Sequence, residues 1–207
     1  MSALPAESAG AATVAAVVIG GSAGALEVLR PMLAALPPAI SVPIVIVVHL
    51  PERSQHQLAA VLNHGSAVAV KQAEDKEPIR AGQVYVAPPA YHLLMEPSLT
   101  FALSLDDPVH YSRPAIDVLF ESALDVYGDR LLAILLSGAS EDGAAGLQEV
   151  HAAGGITIVQ APHSAAVAIM PRAALALFRP THTWSPADLA AGLPQLLSLP
   201  TECRSPP

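Results

Sequence analysis

Val14 to Ile19 is an unbroken apolar run that ends in Gly20-Gly21, and Leu26, Leu29, Leu33 and Leu36 then recur at helical spacing until Pro37-Pro38. A short continuous apolar run bounded by turn residues reads as a strand buried on both faces. Apolar positions three to four apart read as one face of a helix. The segment therefore predicts strand, tight turn, helix. Pro43 to Val48 predicts a second buried strand, and Ser54 to Asn63 an amphipathic helix capped by Ser54, with Leu58, Val61 and Leu62 facing inward.

From Ala67 to Ser104 the pattern changes to short alternating runs separated by Gly and Pro, at Gln83 to Ala87, Tyr91 to Met95 and Leu99 to Leu103. These predict an antiparallel β excursion at one edge. Helical spacing returns at Pro114 to Tyr127, followed by a strand at Leu131 to Leu136, a helix at Gly143 to Ala153 and a strand at Ile156 to Gln160. Helices at Pro171 to Leu177 and Pro186 to Leu197 complete the pattern. Repeated βα alternation predicts an α/β fold: a doubly wound, mostly parallel sheet with helices on both faces and ligand sites at the carboxyl ends of its strands. The expected organisation is one domain over residues 13–197, with a disordered tail at 1–12 and a Pro-rich tail at 198–207.

Composition supports one buried core, since 52% of the 207 residues are hydrophobic and 14% charged. A formal net charge of −8 argues against a nucleic-acid partner, because phosphate backbones are bound by clustered Lys and Arg. The single cysteine, Cys203, permits neither an internal disulfide nor a thiolate metal cluster. Met1 to Gly20 has no Lys or Arg and carries Glu7, which does not fit a secretory signal. No apolar stretch reaches the roughly 18–20 residues that span a bilayer. The expectation is a cytoplasmic protein without direct membrane insertion.

Gly20-Gly21-Ser22-Ala23-Gly24 matches G-x-S-x-G between a strand and a helix, where a serine can stand exposed as a nucleophile. The amides of this turn, that of Ala23 among them, can stabilise an oxyanion at the helix start. A phosphate-binding glycine turn, or a tight turn alone, competes with that reading. No G-x-G-x-x-G is present; instead the second strand ends in His49, placed to reach Ser22 as general base if the two strands are neighbours. A structural histidine is the alternative. Asp142 follows an apolar strand and precedes a helix, so it can orient His49 or act as a helix N-cap. Glu141, adjacent to it, competes for the acidic role.

The order Ser, His, Asp differs from that of α/β-hydrolases, and here the chain resembles the catalytic domain of the bacterial chemotaxis protein-glutamate methylesterase family. The likeness runs from about Val14 to Phe178. It includes the serine turn, His49-Leu50-Pro51, Asp142-Gly143-Ala144-Ala145-Gly146, Gly82 to Pro89, Tyr91-His92, Arg113-Pro114-Ala115-Ile116-Asp117, Gln160 and Met170-Pro171. The resemblance implies a Ser22, His49 and Asp142 triad that hydrolyses glutamate γ-methyl esters, with deamidation of glutamine by the same route. It implies the helical cytoplasmic bundle of a chemoreceptor as partner, and neither metal nor organic cofactor. It also implies an oxyanion donor at the Ala139 amide and a substrate-side role for Arg113, for which a surface salt bridge is the alternative; His92 is read as structural. The chain departs from the family at the turn, where Gly20-Gly21-Ser22-Ala23-Gly24-Ala25 replaces G-A-S-T-G-G. It departs again at Gly138-Ala139-Ser140-Glu141-Asp142, which replaces G-M-G-x-D, so the oxyanion site and substrate fit are where differences are expected.

Other readings remain: a serine esterase of different substrate, or a receptor-binding module that has lost activity. Family members commonly carry a receiver domain before the esterase. About a dozen residues precede the first strand here, so the expectation is either a domain that stands alone, serving a dedicated pathway, or one regulated by a separate protein, with activity indifferent to a phosphodonor.

Overall fold

A computed structural model describes residues 14–50 and 57–198. Its main sheet has seven strands, all parallel, in the order β3-β4-β2-β1-β7-β8-β9. The strands are β1 (Ala16–Gly21), β2 (Ile44–Val48), β3 (Val70–Gln72), β4 (Val84–Val86), β7 (Leu131–Leu135), β8 (Ile156–Gln160) and β9 (His182–Trp184). Two more, β5 (His92–Glu96) and β6 (Thr100–Ser104), pair antiparallel as a separate ribbon. The helices are α1 (Ala25–Ala34), α2 (Leu58–Asn63), α3 (Ile116–Tyr127), α4 (Ala144–Ala152), α5 (Ile169–Leu177) and α6 (Pro186–Leu197).

Every residue of β1, β2 and β7 is buried, as continuous apolar runs require when a sheet is covered on both sides. Alternation along each strand divides the core into two layers. Val17 and Ile19 of β1 pack with α1, α2 and α6, while Ala16 and Val18 pack with α3, α4 and α5. This two-layered core is the expected doubly wound α/β fold. Because α1 covers one face and α4 the other, β1 and β7 are neighbours whose following helices leave in opposite directions. That arrangement makes a topological switch point at their carboxyl ends.

One expectation is corrected. Gln83 to Ala87 does not join the antiparallel excursion; its central residues form β4, which pairs parallel with β2 and β3 inside the main sheet. Three residues are too few to show a period, and Val84, Tyr85 and Val86 are all buried, which is the mark of a parallel strand covered on both sides. The edge strands β3 and β9 went unpredicted because they are equally short and carry polar Lys71, Gln72, His182 and Thr183 where one side is open. The tails at 1–12 and 199–207, with Cys203, and the Ser54 cap lie outside the described residues; the helix expected there is seen from Leu58 onward. None of the described helices is long and apolar enough to cross a membrane.

Ile46 in the middle of β2 is fully buried. Ile46→Ala should lower the unfolding free energy by about 2–5 kcal/mol, measured by denaturant titration; a change near zero would show that this layer is not packed as described.

Candidate active site

The site begins with strand register. Gly21 of β1 pairs with Val48 of β2, so Ser22 and His49 leave neighbouring strands side by side, about 4.8 Å apart by strand spacing. The His49 N–H donates to the Gly21 carbonyl at 3.0 Å, which extends the pairing past the strand ends. Beyond Ser22 the chain must reverse into α1. It does so with a bond from the Ala25 N–H to the Ser22 carbonyl at 3.0 Å and with Gly24 at φ 83°, a left-handed conformation that disfavours a side chain. The left-handed residue of this turn is thus Gly24, not the serine.

Ser137, at the tip of β7, ties the turn down. Its carbonyl accepts from the Ser22 N–H at 2.9 Å, and its hydroxyl donates to the Ala23 carbonyl at 2.7 Å while accepting from the Val167 N–H at 2.9 Å. The Ser137 N–H in turn donates to Gln160 Oε1 at 2.8 Å. Next comes Gly138, where a Cβ would fall 2.9 Å from the Ser22 Cβ and 2.7 Å from the end of Met170, so only glycine lets the two loops approach this closely. The Ser22 N–H is already bonded. Those of Ala23 and Ala139 donate to no group among the described residues, and both residues are exposed.

His49 turns its Nε2 toward Asp142, 2.8 Å from Oδ2. That oxygen lies off the line of the Nε2–H bond, so the contact is a close polar approach rather than a straight hydrogen bond. Nδ1 faces the Ser112 hydroxyl at 3.4 Å. Among the described residues no hydrogen bond joins His49 to the Ser22 hydroxyl. Asp142 is fully buried and accepts from two amides, Ile116 N–H to Oδ2 at 2.7 Å and Asp117 N–H to Oδ1 at 3.0 Å. It therefore is a helix cap, but of α3 rather than of α4, whose own cap position is Gly143 with no side-chain bond. One carboxylate thus both caps α3 and contacts His49. Burial pushes the Asp142 carboxyl up, yet His49 and the two amides outweigh it and hold the group below the usual carboxylate range.

Glu141 is exposed beside Ala144, Ala145 and Leu177, and its carboxylate accepts no hydrogen bond among the described residues. Arg113 lies in the loop before α3, where Nη1 donates to the carbonyls of Leu105 at 2.8 Å and Asp106 at 3.0 Å, which holds the loop against itself. His92 is buried and braces the same loop: Nδ1 accepts from the Ala115 N–H at 3.2 Å, and Nε2 faces the Asp107 carbonyl at 3.1 Å. Among the described residues no group of three His, Cys, Asp or Glu side chains is placed to hold a metal ion. Sequence reasoning passed over Ser137 and Ser112. The first could have been suspected as a small polar residue closing a fully apolar strand; nothing local marks the second.

Fold and site together define a parallel α/β domain with serine, histidine and aspartate converging at its topological switch point. The chain belongs to the CheB methylesterase family, whose family model matches residues 17–193. It superposes on the crystal structure of the Thermotoga maritima CheB methylesterase catalytic domain with a TM-score of 0.85 at 30% identity, covering 89% of this chain and 99% of that one. A Leptospira interrogans relative, provisionally named protein-glutamate methylesterase/protein-glutamine glutaminase, is 46% identical over 77% of this chain and 83% of its own length. A Symbiobacterium thermophilum protein of the same name is 39% identical over 78% of this chain, which spans 44% of that protein.

Asp142→Asn should slow hydrolysis of an activated ester on the order of 1,000-fold, because an amide neither fixes the imidazole tautomer nor stabilises its cation. Glu141→Gln should leave the rate near wild type. Steady-state kinetics of the two variants check this, and a larger loss in Glu141→Gln would reassign the acid.

Proposed function

We propose that the protein is a protein-glutamate methylesterase of chemotaxis-type signalling, acting through Ser22, His49 and Asp142 and also deamidating glutamine. The observation that carries this reading is the register-fixed pair Ser22 and His49 with a buried carboxylate 2.8 Å from the ring, in a chain of the CheB family. Because Nε2 faces Asp142, Nδ1 is the nitrogen left for the serine. Ser22 Oγ attacks the γ-carbonyl of the ester and its proton passes to His49. Asp142 stabilises the resulting imidazolium. Collapse of the tetrahedral intermediate returns that proton to the leaving methoxide, giving methanol and an acyl-enzyme. His49 then takes a proton from water, whose attack releases glutamate and restores Ser22. With glutamine the leaving group is ammonia. The serine–histidine hydrogen bond that this step needs forms with substrate in place, as such bonds often do.

The amides of Ala23, next to Ser22, and of Ala139, one residue after Gly138 in its close approach to Ser22, are the proposed oxyanion donors. A backbone amide survives any substitution except proline, so the exchange of the family's methionine for Ala139 leaves the donor in place. The proposed substrate is the helical cytoplasmic bundle of a chemoreceptor, with Arg113 on the substrate side of the loop before α3, and the protein is assigned to the cytoplasm.

Methanol release from a receptor carrying γ-glutamyl methyl esters tests the reading, with ammonia release from unmodified receptor and hydrolysis of a small generic ester in parallel. Receptor turnover that disappears in Ser22→Ala is expected. Turnover of the generic ester alone would favour a different substrate, and activity toward none would mark a binding module.

A further inference from the structure

Asp117 is a second buried carboxylate beside the site, and the triad does not use it. It sits in the first turn of α3, where its Oδ1 accepts from the Gly146 N–H in the first turn of α4 at 2.8 Å. Asp142, just before α4, accepts from Ile116 and Asp117 at the start of α3. Neither helix has a side-chain cap of its own. Each helix start leaves unpaired N–H groups that need acceptors, and each is supplied here by the carboxylate of the other. The two helices meet closely: a Cβ on Gly146 would fall 2.9 Å from Phe120 Cβ and 3.2 Å from Asp117 Oδ1.

We propose that Asp117 is a positioning residue for the hydrolytic site, holding the start of α4 against α3 so that Asp142 stays on His49. This rests on the triad reading above. Two neighbouring carboxylates out of water oppose each other, and a serine or asparagine at each helix start would cap it without that cost. Reciprocal capping does what separate caps cannot, because the position of Asp142 becomes fixed by both helices at once. Burial and the Asp142 charge push the Asp117 carboxyl up despite the Gly146 and Gly143 amides, so the pair is kept at a cost that a purely local cap avoids. His110 Nε2 stands 3.6 Å from Asp117 Oδ2, at the solvent side of the pair.

The test measures the rate at which a fluorophosphonate probe labels Ser22, located by mass spectrometry and normalised to folded protein by circular dichroism. Asp117→Ala should slow labelling by about tenfold or more. Asp117→Asn, which keeps an oxygen for Gly146, should stay within about threefold of wild type. Added to Asp142→Asn, Asp117→Ala should cost less than about a further twofold, since residues that act through one another are not additive. Should Asp117→Ala fail to fold, the Asn variant still decides: a loss as large as that of Asp142→Asn would overturn the positioning role. Wild-type labelling in Asp117→Ala, or full multiplicative loss in the double variant, would overturn it too. A wild-type protein that is not labelled at Ser22 would instead overturn the triad reading itself.

Discussion

A carboxylate removed from water costs several kcal/mol unless something nearby compensates, and the fully buried Asp142 is compensated by the amides of Ile116 and Asp117 and by the His49 ring. Much of the architecture around the site follows from that one requirement. Those amides open α3, which begins beside the carboxyl ends of β1 and β7 and then packs along the sheet against Ala16 and Val18. Gly20 in β1 and Gly143 before α4 both lie against Ile116, the first residue of α3, and a side chain on either would displace it. The loop that delivers α3 is braced in turn by His92 and by Arg113 on its own carbonyls.

On the other side of the serine, the constraint is backbone approach. Ser137 binds the Ser22 N–H through its carbonyl and the Ala23 carbonyl through its hydroxyl, so the tip of β7 holds the Ser22 turn at two points. Gly138 then passes so close to Ser22 that a Cβ on it would fall 2.9 Å from the Ser22 Cβ. Substitutions relative to the family at positions 23 and 139 fall on exposed residues and change side chains while keeping a backbone N–H at each position. Their effect is therefore expected on what the substrate touches.

The parts of this arrangement that were legible in the sequence are those set by periodicity and by strand ends. Buried runs at Val14 to Ile19, Pro43 to Val48 and Leu131 to Leu136 announced a parallel sheet, and Ser22 and His49 were visible as polar residues closing two of them. Asp142 was visible as a cap or an acid but not as both, because the helix it caps is distant in sequence and tertiary contacts leave no local pattern. The same applies to Asp117, whose spacing along α3 reads as an ordinary first-turn carboxylate. β4 was assigned to the wrong sheet because three residues carry too little alternation to reveal which neighbours they have.

The proposed function requires Ser22, His49 and Asp142 to work as one unit. A double-mutant cycle on kcat/KM for receptor demethylation, with Ser22→Ala, His49→Ala and the combined variant, tests it most directly. Groups that act together lose nearly all their effect when either is removed. The combined variant is predicted to be no slower than Ser22→Ala alone within experimental error, while independent losses that multiply would show that the three residues do not act together.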